Sequence, residues 1–234
     1  NGSGASNTTG SINTTKTSAN VDAGFSIVSY SGNNTAGATI GHGLSKAPEM
    51  VIIKSRTNSN DWWDTYHKDI GAANALHLND TMAQADRSYF HDTHPSSSVI
   101  YLGSDRSSNG PSETFVAYAF HSVDGYSKVG SYTGNGSTDG TFVYTGFKPA
   151  FILHKKTNGS ANWIMTDAIR NTSNPVGKYL MPNSSNAEAD GTSFFDYTSN
   201  GFKLRTSGGG QNGSGDTHIF IAFAETPFKY SNAR

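Results

Sequence analysis

The chain has 234 residues and a formal net charge of -1, with 34% hydrophobic and only 15% charged residues, so it is polar without being charged. That balance excludes disorder driven by charge repulsion and leaves no electrostatic footprint for nucleic acid or an anionic membrane. Cysteine is absent, which excludes a disulfide framework and thiolate chemistry and leans toward a bacterial or viral product.

Residues 1–23 hold only two large aliphatics, Ile12 and Val21, amid Gly, Ser, Thr and Asn. They read as a flexible or extended arm that needs another chain to pack on, and so predict a homo-oligomer, a trimer among the forms expected. No signal peptide is visible at the start, and no apolar run approaches the roughly 18 residues of a spanning helix, so membrane insertion is not expected.

From Gly24 onward, short segments rich in Val, Ile, Tyr, Phe and Thr alternate with turn clusters about every 8–12 residues. FSIVSY, EMVIIK, SVIYL and TFVAYAF come first, then GTFVY, AFILHK, GFKL and HIFIAF. Helical periodicity is faint and confined to ANALHLNDTMAQAD, so the chain is predicted to be all-β. About seven or eight strands per unit suit a β-sandwich of jelly-roll type.

The chain repeats itself. Tyr30, Gly32 and Asn33 recur as Tyr132, Gly134 and Asn135; Pro48 to Trp62 recurs as Pro149 to Trp163; and FVAYAF at Phe115 recurs as FIAFAE at Phe220. The expected organisation is therefore an arm over 1–23, a first sandwich over 24–127 and a second over 128–234. Phe115 and Phe220, each followed by two alanines on one strand face, read as central core strands.

Trp62 and Trp163 fall at one place in the repeat and read as core plugs. Binding candidates lie where the copies differ, in NDWWDTYHKD, where Trp63, Tyr66 and His67 match Ile164, Asp167 and Ala168. An exposed ring there would stack on a sugar face while Asp61 and Asp64 hydrogen-bond its hydroxyls. The alternative, a local cluster or subunit contact, stays open. His91 and His94 flank Asp92 but lack a third ligand at a zinc spacing. The loops DRSSNG and NGSGD lack the run of acids that a tight calcium site needs, so neither metal nor cofactor is expected. Gly208, Gly210 and Gly213 satisfy a phosphate-loop pattern, yet the next element is a strand, so they read as a β-connection. A glycosidase needs two close carboxyls. At the spacing set by Phe115 and Phe220, Glu113 is matched by His218, so no symmetric acid pair is expected.

The string GYSKVGSYTGNGSTDGTFVYTGFKPAFILHKKTNGSANW from Gly125, then PNSSNAEADGT, NGFKLRTSG and the closing IFIAFAETPFKYSNAR, resembles the C-terminal module of virion proteins of tailed bacteriophages, marine ones in particular. AGFSIVSYSGNNTAGATIGHGLSKAPEMVIIKSR is similar to the preceding half of that family, so the likeness spans residues 23–234. It implies a non-enzymatic, extracellular virion-surface protein of tail-fibre-like type, with host-surface glycan or a neighbouring virion protein as partner and no catalytic residues to carry over. A purely structural decoration protein and a polysaccharide depolymerase are the alternatives.

Overall fold

A computed structural model describes residues 3–190 and 193–227. Residues 1–2 of the expected arm, and residues 191–192 and 228–234 of the expected second unit, lie outside that range. Among the described residues are sixteen strands, one single-turn helix α1 (Arg106–Asn109) and a 3-10 turn at Lys68–Ile70. No helix is long and apolar enough to cross a membrane. The all-β reading holds because Gly, Thr, Asn and β-branched residues favour strands and turns over helix.

The first unit contains β1 (Lys16–Asn20), β2 (Phe25–Ser31), β3 (Ala38–Gly41), β4 (Met50–Ser55), β5 (Trp63–His67), β6 (Asn74–His77), β7 (Ala85–Asp86), β8 (Val99–Leu102) and β9 (Thr114–Phe120). Seven strands pair in the order β1-β2-β9-β4-β5-β6-β7, and β3 pairs with β8 in a separate ribbon. Strict alternation of burial along β2 and β9 points Val28, Tyr30, Phe115, Ala117 and Ala119 into one core, shared with Ile40, Ile100 and Leu102 of the ribbon. In the second unit, β10 (Ser127–Thr133), β12 (Pro149–Lys156), β13 (Ile164–Asp167) and β16 (Thr217–Ala224) form a sheet in the order β10-β16-β12-β13. A second sheet orders β11 (Phe142–Tyr144), β15 (Gly201–Leu204) and β14 (Phe195–Thr198) as β11-β15-β14. Their shared core is aromatic, with Phe202 edge-on to both Phe195 and Phe220 at 5.2 Å. As expected, β9 and β16 are central strands.

The arm is a correction. Residues 16–20 add β1 to the edge of the first sheet, and Ile12 bridges Ile40 and is buried in the same core. Side-chain and backbone ties such as Ile12 N–H to Thr39 C=O (2.9 Å) do what another chain was expected to do. Val21 alone of the two aliphatics is exposed. The unit boundary also moves: residues 1–78 and 84–121 cluster as one unit, 79–83 and 122–234 as the other. Residues 79–83 join the second unit because the carbonyl of Thr81 accepts from Ala161 N–H (2.9 Å) and from Lys155 Nζ (3.3 Å). The faintly helical stretch around them carries β6 and β7 instead.

The duplication is written in hydrogen bonds. Asn109 Oδ1 accepts from Asn33 N–H (2.9 Å), and its Nδ2 donates to Asn33 Oδ1 and to the carbonyls of Thr35 and Gly103. Asn212 does the same with Asn135 N–H (3.0 Å), Asn135 Oδ1 and the carbonyls of Ser137 and Thr206. Tyr30 and Tyr132 each donate a hydroxyl to the carbonyl of the residue before that asparagine. Register then corrects the sequence alignment. Tyr30 lies opposite Phe115 and Tyr132 opposite His218, so Phe115 corresponds to His218, Ala117 to Phe220 and Glu113 to Asp216. Similarity of FVAYAF to FIAFAE had shifted the match by two residues, which keeps the strand face and so passes unnoticed in a period-two pattern.

The same register shows how the interiors diverge. Phe220 fits because Gly130 lies opposite it, where Val28 faces the smaller Ala117. His154 and His218 occupy the places of Ile53 and Phe115, fully buried, with no hydrogen-bond partner on either ring. Burial lowers their pKa from the ordinary 6.5 to about 3 for His154 and about 4 for His218.

Two outcomes are expected. Asn212→Ala leaves an N–H and two carbonyls of its loop unpartnered and should cost about 2–4 kcal/mol, read as a lower urea midpoint. For the histidines, the unfolded chain binds more protons than the folded one below about pH 6.5, so stability falls with falling pH until the folded groups titrate near about 4 and about 3. Each should contribute a slope of about 1.4 kcal/mol per pH unit in that window. The double substitution His154→Ile with His218→Phe, copying the first unit, should flatten the urea midpoint between pH 6.5 and 4.5.

Candidate functional site

The loop between β4 and β5 is held from below by Lys54, whose Nζ donates to the carbonyls of Asn58 (2.9 Å) and Asp61 (3.0 Å). Ser55 Oγ accepts from Asn58 N–H, and Asn58 Nδ2 donates to Asp61 Oδ1 at 2.8 Å. Trp62 leaves this braced loop with 38% of its surface exposed, its ring 4.8 Å from the ring of His77. The Tyr89 ring also lies near His77, at 5.8 Å. Trp62 is therefore no core plug; Trp163 is, at 1% exposure.

Below that rim lies a buried polar network. Asp64 is fully buried on β5, accepts a 2.5 Å hydrogen bond from Ser107 Oγ of α1, and sits 3.3 Å from His77 Nδ1. Burial raises the Asp64 pKa, and the neighbouring His77 ring and the hydrogen bond from Ser107 oppose that rise. Asp105 caps α1 by accepting from Ser107 N–H at 2.7 Å. Beside the network Glu113 accepts from Ser55 Oγ (3.2 Å) and pairs with Arg106 at 2.5 Å. Asp61 lies against Glu113: desolvation, then the charge of Glu113, raises its pKa.

Of the five residues expected to bind ligand, the structure gathers Asp61 and Asp64 near Trp62, and it does not form an open groove at Trp63 and Tyr66. Trp63 is half-buried, opposite Lys54 on β4. Tyr66 is core, with its hydroxyl 2.7 Å from His94 Nδ1 and its ring against Phe90. His67 is fully buried and its Nδ1 accepts from Asp69 N–H, capping the 3-10 turn. The reason is burial: Asp64, Thr65, Tyr66 and His67 are all buried, so both faces of β5 are covered. Among the described residues no group of three or more metal-ligating side chains converges.

Sequence reasoning missed Ser107, Arg106, His77 and Tyr89. The signal was present in the two copies of one loop. DRSSNG from Asp105 and GGGQNG from Gly208 form the same turn, with Asn109 N–H bonded to Asp105 C=O and Asn212 N–H to Gly208 C=O, both at 2.8 Å. The second copy keeps the backbone turn and has Gly208, Gly209 and Gly210 where the first has Asp105, Arg106 and Ser107. Glu113 and Asp216 likewise form the symmetric acid pair that the shifted alignment hid, each tied to a cation, Arg106 or Lys156.

A family model described as a domain of unknown function, DUF7483, matches residues 1–227. The chain belongs to the DUF7483 family. The match takes in residues 1–23 together with both sandwiches, in keeping with an arm that is part of the first core. Neither curated proteins nor solved structures give a significant match.

In this DUF7483 member the place of Asp64 is filled in the second unit by Ile164, which lies opposite His154 as Asp64 lies opposite Ile53; register therefore matches Trp163 with Trp63 instead of Trp62, and corrects the sequence match of Trp63 with Ile164 by one residue. The fold therefore does not require a carboxylate there. Asp64→Ala, which strands Ser107 and His77, should destabilise the chain by about 3 kcal/mol or more in urea unfolding. Asp64→Asn, which keeps the acceptor for Ser107, should lose clearly less.

Proposed function

We propose that the chain is a non-enzymatic module displayed on the surface of a bacteriophage particle, a tail-fibre-like or other appendage component, and that its first sandwich meets host envelope glycan through Trp62. The placement on a particle rests on the resemblance of the long strings from Ala23 and Gly125 to tailed-phage virion proteins. The glycan reading is carried by one observation: Trp62 stands exposed on a loop braced by Lys54, Ser55 and Asn58 and rests on His77, above a polar network that the second copy of the fold lacks. A rigid exposed ring suits the apolar face of a pyranose, and a braced loop loses little entropy on binding. Glu113 is bound to Arg106 and Ser55, and Asp64 lies beneath the surface, so the carboxyls brace the rim instead of facing each other across a cleft.

The test is a binding screen of the purified chain against host envelope fractions and a glycan array, with Trp62→Ala alongside. Trp62→Ala should weaken saccharide binding about tenfold or more while the circular dichroism spectrum and urea midpoint stay close to wild type. Equal binding by the variant would remove Trp62 from the site. Absence of any glycan binding would favour the purely structural decoration protein, and release of reducing ends would favour the depolymerase.

A further inference from the structure

The second sandwich holds a cavity of about 320 Å³ that no feature of the Trp62 rim uses. Its walls come from the turn entering β10, with Asp124, Gly125 and Lys128, and from the end of β11, with Tyr144, Thr145 and Gly146. Tyr144 is 65% exposed on an edge strand, an unusual place for a large aromatic that contributes nothing to the core. Gly146, at φ +87°, has no side chain, and a Cβ there would lie 3.6 Å from the Tyr144 hydroxyl and 3.8 Å from its ring, so the ring lies against bare backbone. The turn opposite is fixed: Gly125 takes φ +71°, and the N–H groups of Tyr126 and Ser127 both donate to the carbonyl of Val123. That turn leaves Asp124 exposed and Lys128 half-buried at the cavity wall. Among the described residues no ion pair engages either of them.

We infer that this cavity is a second saccharide site, formed entirely by the second sandwich and taking one neutral pyranose unit of a glycan. The volume falls at the small end of ligand sites, which run from roughly 300 to 1,000 Å³. Tyr144 supplies the flat face that stacks on the apolar side of the ring. Asp124 accepts from hydroxyls and Lys128 donates to them, and the opposite charges cancel, so the walls suit a polyhydroxylated neutral sugar better than a uronate or a phosphate. The site stands apart from the Trp62 reading, because its residues belong to the other unit and to other strands. If both bind, one chain carries two contacts for one polymer, and weak single-site affinities combine into avidity.

The experiment is an amide nitrogen–proton NMR titration of the full chain with methyl glucoside, methyl galactoside and methyl mannoside, with methyl glucuronide as the charged arm. The inference expects saturable shifts of the Gly125 and Gly146 amides with at least one neutral glycoside. Those shifts should persist in Trp62→Ala and weaken about tenfold or more in Tyr144→Ala. Tyr144 is an exposed edge-strand residue, so that variant should keep the remaining spectrum; Tyr144→Phe, which keeps the ring, should keep the binding. No shift at Gly125 and Gly146 with any neutral glycoside overturns the inference, as do shifts unchanged by Tyr144→Ala or a stronger response to the glucuronide. A response lost in Trp62→Ala but intact in Tyr144→Ala would leave the first site standing and sink this one.

Discussion

One side-chain amide in each unit fixes the rest. Asn109 and Asn212 each satisfy an N–H and two carbonyls from two stretches of chain, Asn33–Thr35 with Gly103 and Asn135–Ser137 with Thr206. The tie draws the chain so close that Gly32 meets the backbone of Asn109 and Gly110, and Gly134 that of Asn212 and Gly213, where any Cβ would collide. Tyr30 and Tyr132 then reach the preceding carbonyl from the core with their hydroxyls, so the amide knot and the aromatic core hold each other in register.

With the ends fixed, the strands between them are free to change. The two copies exchange volume across a strand pair, Val28 with Ala117 against Gly130 with Phe220, which conserves packing. They also place buried polar groups at different depths. The first unit buries Asp64 where the second has Ile164, and the second buries His154 and His218 where the first has Ile53 and Phe115. Each copy is thus an internal control for the other: a polar group that one unit omits is not needed to make the sandwich.

The differences reach the surface on frames built by the same hydrogen bonds. In the first unit an exposed tryptophan sits over hydrogen-bonded polar residues; in the second an exposed tyrosine flanks a small polar cavity. Carboxyls are present in both units, but Glu113 and Asp216 are held by cations, and Asp64 is sealed beneath the rim.

The amino-acid sequence by itself determined the all-β class, the doubling and the central strands, because period-two alternation and repeated Tyr-x-Gly-Asn turns are local and survive without tertiary context. It misplaced the arm, since Ile12 looks isolated until the fold brings Ile40 beside it. It took FVAYAF and FIAFAE as equivalent, since a shift of two residues preserves every strand face and only the partner strand reveals it. Trp62, Trp63 and Tyr66 lie within five positions of one another, yet which ring is wet was decided by tertiary structure alone. Asp64 to His67 are buried on both faces of β5, while the residue just before the strand turns outward from a loop that hydrogen bonds hold in place.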